Sequence, residues 1–214
     1  MPTLHGISAS PFVRKVRVAL AEKGIAYEHD PVIPQAAGPA YRKISPLGKI
    51  PAYTDGDRAL ADSSVICAYL ERVQAQPALY PSDPYEFARA LWFEEYGDSV
   101  LSSVTGPKIF RNRVVNPKFF NQPCDEAEVQ KAVTEELPPL FDYLEGEVSE
   151  GGVVAGTRFS IGDIGLVTHF VNLKFAGVGV DAKRWPKLAR YVDHVMARPS
   201  FKKCIDEEAP LFSA

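Results

Sequence analysis

The sequence predicts a two-domain protein in which an α/β domain is followed by an all-helical domain. Short strand patterns occur only in the first third of the 214 residues, and helical periodicity of apolar residues runs through the remainder. Between these regions Pro77, Pro81 and Pro84 interrupt the chain. We therefore predict a first domain at 1–77, a linker at 78–84 and a second domain at 85–214.

The first domain has the predicted order βαβ, irregular loop, ββα. Its elements are predicted as a strand at 2–6, a helix from Pro11 to the Lys23-Gly24 stop, a strand at 25–32, a short helix near Tyr41 to Ile44, a hairpin of 50–54 and 58–60 around Asp55-Gly56, and a helix opened by Asp62-Ser63-Ser64. This alternation of strands and helices is typical of a small mixed sheet covered by helices.

The second domain contains apolar repeats of helical spacing without a convincing strand. Helices are predicted at 85–113, 125–148, 161–176 and 186–207. Pro107 lies inside the first of them and is expected to bend or break it, because proline lacks the N–H that an interior helical position donates.

Composition and charge exclude several classes of protein. The net charge of −3 gives no basic face for nucleic acid. The N-terminal residues lack the pattern of a signal peptide, and no apolar run reaches the length of a membrane span. The cysteines (Cys67, Cys124, Cys204) are odd in number and widely spaced, and the four histidines are scattered. We expect a cytoplasmic protein with no membrane association, no nucleic-acid partner and no metal.

The first chemical feature lies between the first strand and the first helix, where the sequence reads Ser-Ala-Ser-Pro over 8–11. A helix N-terminus is partly positive, so it stabilises an anion such as a thiolate. A hydroxyl at that point lowers the pKa of a bound thiol by donating a hydrogen bond to its charged form. The alternative is that Ser8 or Ser10 only caps the helix.

The second feature is Pro51 at the start of a strand, which is unusual because proline cannot donate to a strand ladder. A cis bond in a tight turn would leave the N–H and C=O of Ile50 facing outward, where a peptide ligand could pair with them. A trans proline at a sheet edge is the alternative.

The third feature is an acidic residue with hydroxyls at the start of a helix, Asp62-Ser63-Ser64. Such a site could hold a zwitterionic amino-acid head, its carboxylate at the helix end and its ammonium at the aspartate. The alternative is again a simple N-cap.

In their order and spacing these features resemble the cytosolic glutathione transferases over essentially the whole chain. The resemblance is carried by 10–16 (SPFVRKV), 45–51 (SPLGKIP), 61–64 (ADSS) and 160–163 (SIGD). It implies a thioredoxin-like N-terminal domain followed by the helical C-terminal domain of that family, of the bacterial type with serine at the activating position. The last motif is a capping box with aspartate in place of glutamate, and we interpret it as structural.

The resemblance also implies roles for individual residues. Ser10 would activate the glutathione thiol, and is preferred to Ser8 because it directly precedes the proline. Ile50, before Pro51, would pair with the cysteinyl backbone of glutathione. The γ-glutamyl end would be held by Asp62 and Ser63, and the glycyl carboxylate by Lys43 or Lys49.

A second substrate and a dimer are implied as well. Phe12, Thr105, Ile109 and Phe110 would line an apolar pocket between the domains for a hydrophobic electrophilic small molecule. Glutathione would serve as co-substrate, with no permanently bound cofactor, and the protein would form a homodimer.

Three rival functions use the same fold. Zeta-like isomerases show an SSC-type signature where this chain has Ser-Ala-Ser-Pro. Omega-like and glutaredoxin-like disulfide reduction needs a cysteine where Ser10 stands. Interaction modules that resemble stringent-starvation proteins can lose the glutathione ligands, whereas Ser10, Pro51 and Asp62 are present here.

Overall fold

The computed structural model describes residues 1–34 and 38–212. The chain divides into two compact units, Met1–Tyr80 and Pro81–Ala214. The division falls inside the proline-containing segment at 78–84.

The first unit is a four-stranded mixed sheet with two long helices. Its elements are β1 (Thr3–His5), α1 (Pro11–Lys23), β2 (Glu28–Asp30), a 3-10 turn (Tyr41–Lys43), β3 (Ala52–Asp55), β4 (Arg58–Ala61) and α2 (Ser63–Val73). The strand order is β2-β1-β3-β4, with β2 parallel and β3 antiparallel to β1, and β4 antiparallel to β3. The thioredoxin-like prediction for this part of the chain is confirmed.

Simple local rules explain these elements. Leu4 and Tyr53 are paired across β1 and β3, and both are buried, so the sheet has one apolar face in the core. The hairpin turns at Gly56, whose φ of 57° favours glycine. Helix α1 ends at Gly24 in the left-handed conformation (φ 66°), the C-cap that the sequence predicts.

Among its described residues the second unit contains helices and connecting loops but no strand. Its helices are α3 (Pro84–Glu95), α4 (Ser102–Val104), α5 (Asn116–Phe119), α6 (Glu126–Lys131), α7 (Leu137–Glu147), α8 (Ile161–Phe175), α9 (Pro186–Met196) and α10 (Pro199–Phe212), joined in part by π-helical segments at Tyr96–Leu101, Thr105–Val115 and Ala132–Glu136. The all-helical prediction is confirmed. Within the described residues, no helix is long and apolar enough to cross a membrane.

Two details differ from the predicted helices. The helical chain continues through Pro107 as a π-helical segment, so the predicted break at that proline is wrong. The wider turns of this segment accommodate the proline, which has no N–H to donate. The helix predicted at 186–207 is two helices, α9 and α10, because Pro199 begins a new helix after Ala197 and Arg198.

Helix α8 is the centre of the second unit, with every residue from Ile161 to Leu173 buried. At its start the Asp163 carboxylate accepts hydrogen bonds from the Ser160 N–H (2.8 Å) and hydroxyl (3.1 Å). It also accepts from the Val154 N–H (3.1 Å) and the Tyr191 hydroxyl (3.0 Å). The structural interpretation of 160–163 is therefore correct, and Asp163 ties the 154 loop and α9 to α8.

Candidate functional site

Ser10 is the N-cap of α1. It has extended backbone angles (φ −71°, ψ 128°), and its Oγ accepts a long hydrogen bond of 3.5 Å from the Val13 N–H. A hydroxyl has one donor hydrogen besides its acceptor lone pairs, so Ser10 can cap the helix and still donate to a ligand. Ser8 lies inside the turn closed by the Ser10 N–H and the Ile7 C=O (3.1 Å), one step back from the helix end.

The electrostatic setting at this end of α1 favours an anion. The helix has 13 residues, and its first turn contains no acidic side chain. The partial positive charge of the helix end is therefore not neutralised from within its own first turn. A thiolate beside Ser10 would meet both this field and a hydroxyl donor.

The Ile50–Pro51 peptide bond is cis, the conformation that the sequence left open. A Cβ added to Gly6 would lie 2.9 Å from the Cβ of Ile50 and 2.6 Å from Cγ2 of Val13. The loop of Ile50 thus packs directly on the end of β1, beside the start of α1. Within residues 1–34 and 38–212, neither the N–H nor the C=O of Ile50 takes part in a backbone hydrogen bond.

A contact that the sequence analysis missed anchors this loop. The C=O of Lys49 accepts hydrogen bonds from the Tyr41 hydroxyl (3.0 Å) and the Ser45 hydroxyl (2.7 Å), and both donors are buried. Desolvation raises the pKa of the Tyr41 phenol, which keeps it a protonated donor. Ser45 belongs to the motif at 45–51, but nothing in the sequence marks Ser45 or Tyr41 as a donor to this carbonyl.

Asp62 and Ser63 form the start of α2. Asp62 is the N-cap, and its Oδ1 accepts from the Ser64 N–H (2.9 Å) and the Val65 N–H (3.2 Å). Its φ of 80° is unusual for a residue with a side chain, and strained backbone of this kind is concentrated at functional sites. Asp62 is exposed while Ser63 is buried, so the carboxylate faces solvent at a helix N-terminus.

Lys15 connects the starts of the two helices. Its Nζ donates to Oγ of Ser64 at 2.9 Å, and its side chain is fully buried. A lysine within a helix carries no sequence signal for a hydrogen bond to a residue 49 positions away, so this bond could not be predicted. This hydrogen bond links α1 to the start of α2, and so connects the two helices whose N-termini carry Ser10 and Asp62.

The remaining predicted residues are placed as follows. Lys43 and Lys49 are both exposed on the loop side of the first unit. Phe12 belongs to the first unit and is half-buried, whereas Thr105 and Ile109 are fully buried in a π-helical segment of the second. Phe110 packs edge-on against Phe212 with ring centroids 5.5 Å apart. Their role as walls of a substrate pocket stays a prediction.

The chain thus consists of a thioredoxin-like domain with a cis-proline loop, followed by a helical domain. Residues 4–78 match the family model described as the N-terminal domain of glutathione S-transferase, and residues 126–194 match the model of its C-terminal domain. The chain belongs to the cytosolic glutathione S-transferase family.

Individual relatives agree with this assignment. The maleylacetoacetate isomerase of Pseudomonas aeruginosa is 30% identical over 92% of each chain. The uncharacterised GST-like protein YibF of Escherichia coli is 29% identical, over 94% of this chain and 96% of its own. A theta-class glutathione S-transferase from Xanthomonas axonopodis pv. citri, solved with glutathione bound, is 27% identical, with a TM-score of 0.81 and coverage of 95% and 96%.

Proposed function

We propose that this protein binds glutathione in its first domain and activates the thiol for attack on an electrophilic small molecule. The observation that carries the proposal is that three features lie within one unit: the Ser10 helix end, the unpaired backbone of Ile50 and the start of α2 at Asp62. Each suits a different part of a γ-glutamyl tripeptide thiol. The related Xanthomonas enzyme with bound glutathione supports the choice of ligand.

The tripeptide would be held by complementary groups. Its cysteinyl backbone pairs with the N–H and C=O of Ile50 as a short added strand. Its γ-glutamyl ammonium meets the Asp62 carboxylate, and its γ-glutamyl carboxylate meets the N-terminus and hydroxyl of Ser63. The glycyl carboxylate is left to Lys49, whose C=O is anchored next to Ile50, or to Lys43.

The protein contributes to the reaction by stabilising charge. The Ser10 hydroxyl and the end of α1 favour the thiolate, so the thiol proton leaves to solvent at neutral pH. The sulfur lone pair then forms the new S–C bond, and the leaving group departs with its bonding electrons or an epoxide ring opens. An apolar surface would hold the electrophile near the sulfur. The candidates for it are Phe12 of the first unit and Thr105, Ile109 and Phe110 of the second.

The activating role of Ser10 is tested by Ser10→Ala. We expect the ultraviolet thiolate band of bound glutathione to be lost at neutral pH, while the dissociation constant from calorimetry changes by less than about threefold. Loss of one hydrogen bond to a charged group corresponds to about 2 kcal/mol, a pKa rise of about one to two units. The matched control is Ser8→Ala, which should keep the band; loss of the band in Ser8→Ala alone would assign activation to Ser8.

The role of Asp62 is tested by Asp62→Ala. We expect glutathione affinity to fall at least about tenfold, because the ligand ammonium loses its charged partner. Asp83 is a suitable control, since its Oδ1 caps α3 by accepting from the Tyr85 and Glu86 N–H groups, both at 3.0 Å, the same i+2 and i+3 pattern as in the Asp62 cap. Asp83→Ala should lose comparable stability and keep full affinity. Unchanged affinity in Asp62→Ala, or absence of binding by the wild type at millimolar glutathione, would refute the proposed site.

A second candidate function is the isomerisation of a cis double bond with glutathione as catalyst. It is favoured by the relation to the Pseudomonas isomerase and disfavoured by Ser-Ala-Ser-Pro in place of an SSC-type signature. The two functions differ in stoichiometry: transfer consumes one glutathione per product, and isomerisation consumes none. Assays of maleylacetoacetate and of a halogenated nitroaromatic, each with thiol counting, separate them.

A further inference from the structure

A cleft of about 240 Å³ lies in the second unit, between the loop after α7 and one side of α9. The loop contributes residues 148–152, and α9 contributes Lys187, Arg190, Tyr191 and His194. All of these residues belong to the helical unit, and none is part of the glutathione site proposed above.

The cleft is cationic although the whole chain carries a net charge of −3. Lys187, Arg190 and His194 follow one another at i, i+3 and i+7, so they lie on one face of α9. All three are exposed, and none forms an ion pair within the part of the chain that the structure describes. Among the described residues that line the cleft, only Glu150 is acidic. Asp193 lines a different cleft, on another side of α9.

The loop adds backbone donors. A turn is closed by the Gly152 N–H and the Ser149 C=O at 3.0 Å, and the Val153 N–H donates to Oγ of Ser149 at 3.3 Å. The N–H groups of Glu150 and Gly151, in the middle of this turn, make no backbone hydrogen bond among residues 1–34 and 38–212. Successive free N–H groups in a turn form a concavity that suits an anion.

Tyr191 gives the cleft a rigid floor. Its side chain is buried, and its hydroxyl is bound to the Asp163 carboxylate at 3.0 Å. The Tyr191 hydroxyl is therefore already engaged and does not donate to a ligand in the cleft. It fixes the rotation of α9 about its axis, and this fixes the direction of the cationic face.

From this arrangement we infer that the cleft binds a small phosphate monoester. A guanidinium and an ammonium three residues apart, in one cleft with a turn whose N–H groups make no backbone hydrogen bond, match a compact dianion. The volume of about 240 Å³ accommodates a phosphate group with a few further atoms. Arg190 contributes bidentate hydrogen bonds, Lys187 contributes a positive charge, His194 contributes a ring N–H, and Glu150 weakens the site by repulsion.

The test is a titration of the full-length protein with inorganic phosphate and with glycerol phosphate at low ionic strength, followed by amide chemical shifts. In the wild type we expect saturable shifts at Glu150 and Gly151, and tighter binding of the ester. Arg190→Gln should weaken binding at least about tenfold, as expected for a charge-assisted bidentate contact, and Glu150→Gln should strengthen it about threefold. Lys131→Gln, an equal charge change on exposed α6, should leave the constant unchanged.

Several outcomes would overturn the inference: no saturable shift in the loop, the same affinity in Arg190→Gln as in the wild type, or an equal loss in Lys131→Gln. If Arg190→Gln folds poorly, the higher phosphate affinity expected for Glu150→Gln still tests the site. Saturating glutathione and the Ser10→Ala substitution should not change phosphate affinity. Failure of this site therefore does not bear on the proposed transferase function.

Discussion

Asp163 is a buried carboxylate whose environment opposes its charge. Desolvation raises its pKa from 3.8 to about 6, although four hydrogen bonds from Ser160, Val154 and Tyr191 lower it in part. Because the folded-state pKa lies above the unfolded value, the folded protein binds more protons between these two values. The contribution of Asp163 to the free energy of unfolding is therefore greatest at acid pH and falls as pH rises through about 6.

The substitution Asp163→Asn tests this account. We expect it to cost about 3 kcal/mol near pH 4.5, since an amide cannot accept all the hydrogen bonds of the carboxyl group. The cost should shrink towards pH 7.5, because only the wild type then has to hold a buried charge. Urea unfolding at several pH values measures it. Asp206→Asn, at an exposed ion pair with Lys202, should cost under about 1 kcal/mol; a cost for Asp163→Asn that does not vary with pH would contradict the account.

Sequence patterns predicted some contacts of the candidate site better than others. Ser10 and Asp62 could be identified because a cap position follows from the local pattern of polar and apolar residues. Lys15 and Tyr41 could not, since their hydrogen bonds join segments far apart in the chain: Lys15 to Ser64, and Tyr41 to the loop before Pro51. A charged residue in a helix is expected on the surface, and only the tertiary fold shows that Lys15 is buried.

At the scale of elements, the crossing of the Tyr96–Leu101 segment over α8 depends on glycines. A Cβ added to Gly97 would lie 2.5 Å from the C=O oxygen of Gly165, and one added to Gly165 would lie 2.9 Å from Cα of Glu94. The obstructing atoms include backbone, so they cannot move aside without separating the helices. We interpret this pair as the reason that two helical segments approach so closely.

Gly97→Ala should therefore destabilise the protein by about 2 kcal/mol or more, the usual cost of overpacking. Gly146, in α7, offers a matched control, because an added Cβ there meets nothing within 4 Å. Gly146→Ala should be neutral or stabilise by up to about 1 kcal/mol. Thermal unfolding of both variants decides the matter; equal effects of the two substitutions would show that the crossing tolerates a methyl group.

Elements with strong local signals could be predicted from the sequence, and those that depend on hydrogen-bond register could not. The hairpin at Asp55-Gly56 and the stop of α1 at Gly24 follow from turn and cap chemistry. The π-helical form around Pro107 was missed, because apolar spacing indicates which face is buried but not whether hydrogen bonds span four or five residues.

At the scale of the whole molecule, the order of the elements was easier to predict than the partners. The change from mixed strands to helices along the 214 residues indicated an α/β part followed by a helical part, and the structure shows both. The electrophile could not be predicted, because the walls of a substrate pocket are built from side chains whose identity is set neither by the fold nor by the apolar periodicity.

We propose a homodimer as the working form. Sedimentation equilibrium should then give a mass of twice 23.5 kDa, about 47 kDa, at micromolar concentration. The mass should stay constant on dilution over a tenfold range, as expected for a large and specific interface. A mass of one chain under the same conditions would refute the dimer without affecting the glutathione site, whose proposed ligands all belong to one unit.

The π-helical segments Tyr96–Leu101 and Thr105–Val115 also bear on how this chain is compared with its relatives. Each π turn accommodates a residue more than an α turn does, as if a single amino acid had been inserted into a helix. Both segments lie between the two regions that match the family models, 4–78 and 126–194. An ungapped alignment to a purely α-helical relative would therefore shift Ile109 and Phe110 onto positions about 100° away around the helix. Substrate preferences transferred through such an alignment would be assigned to the wrong side chains.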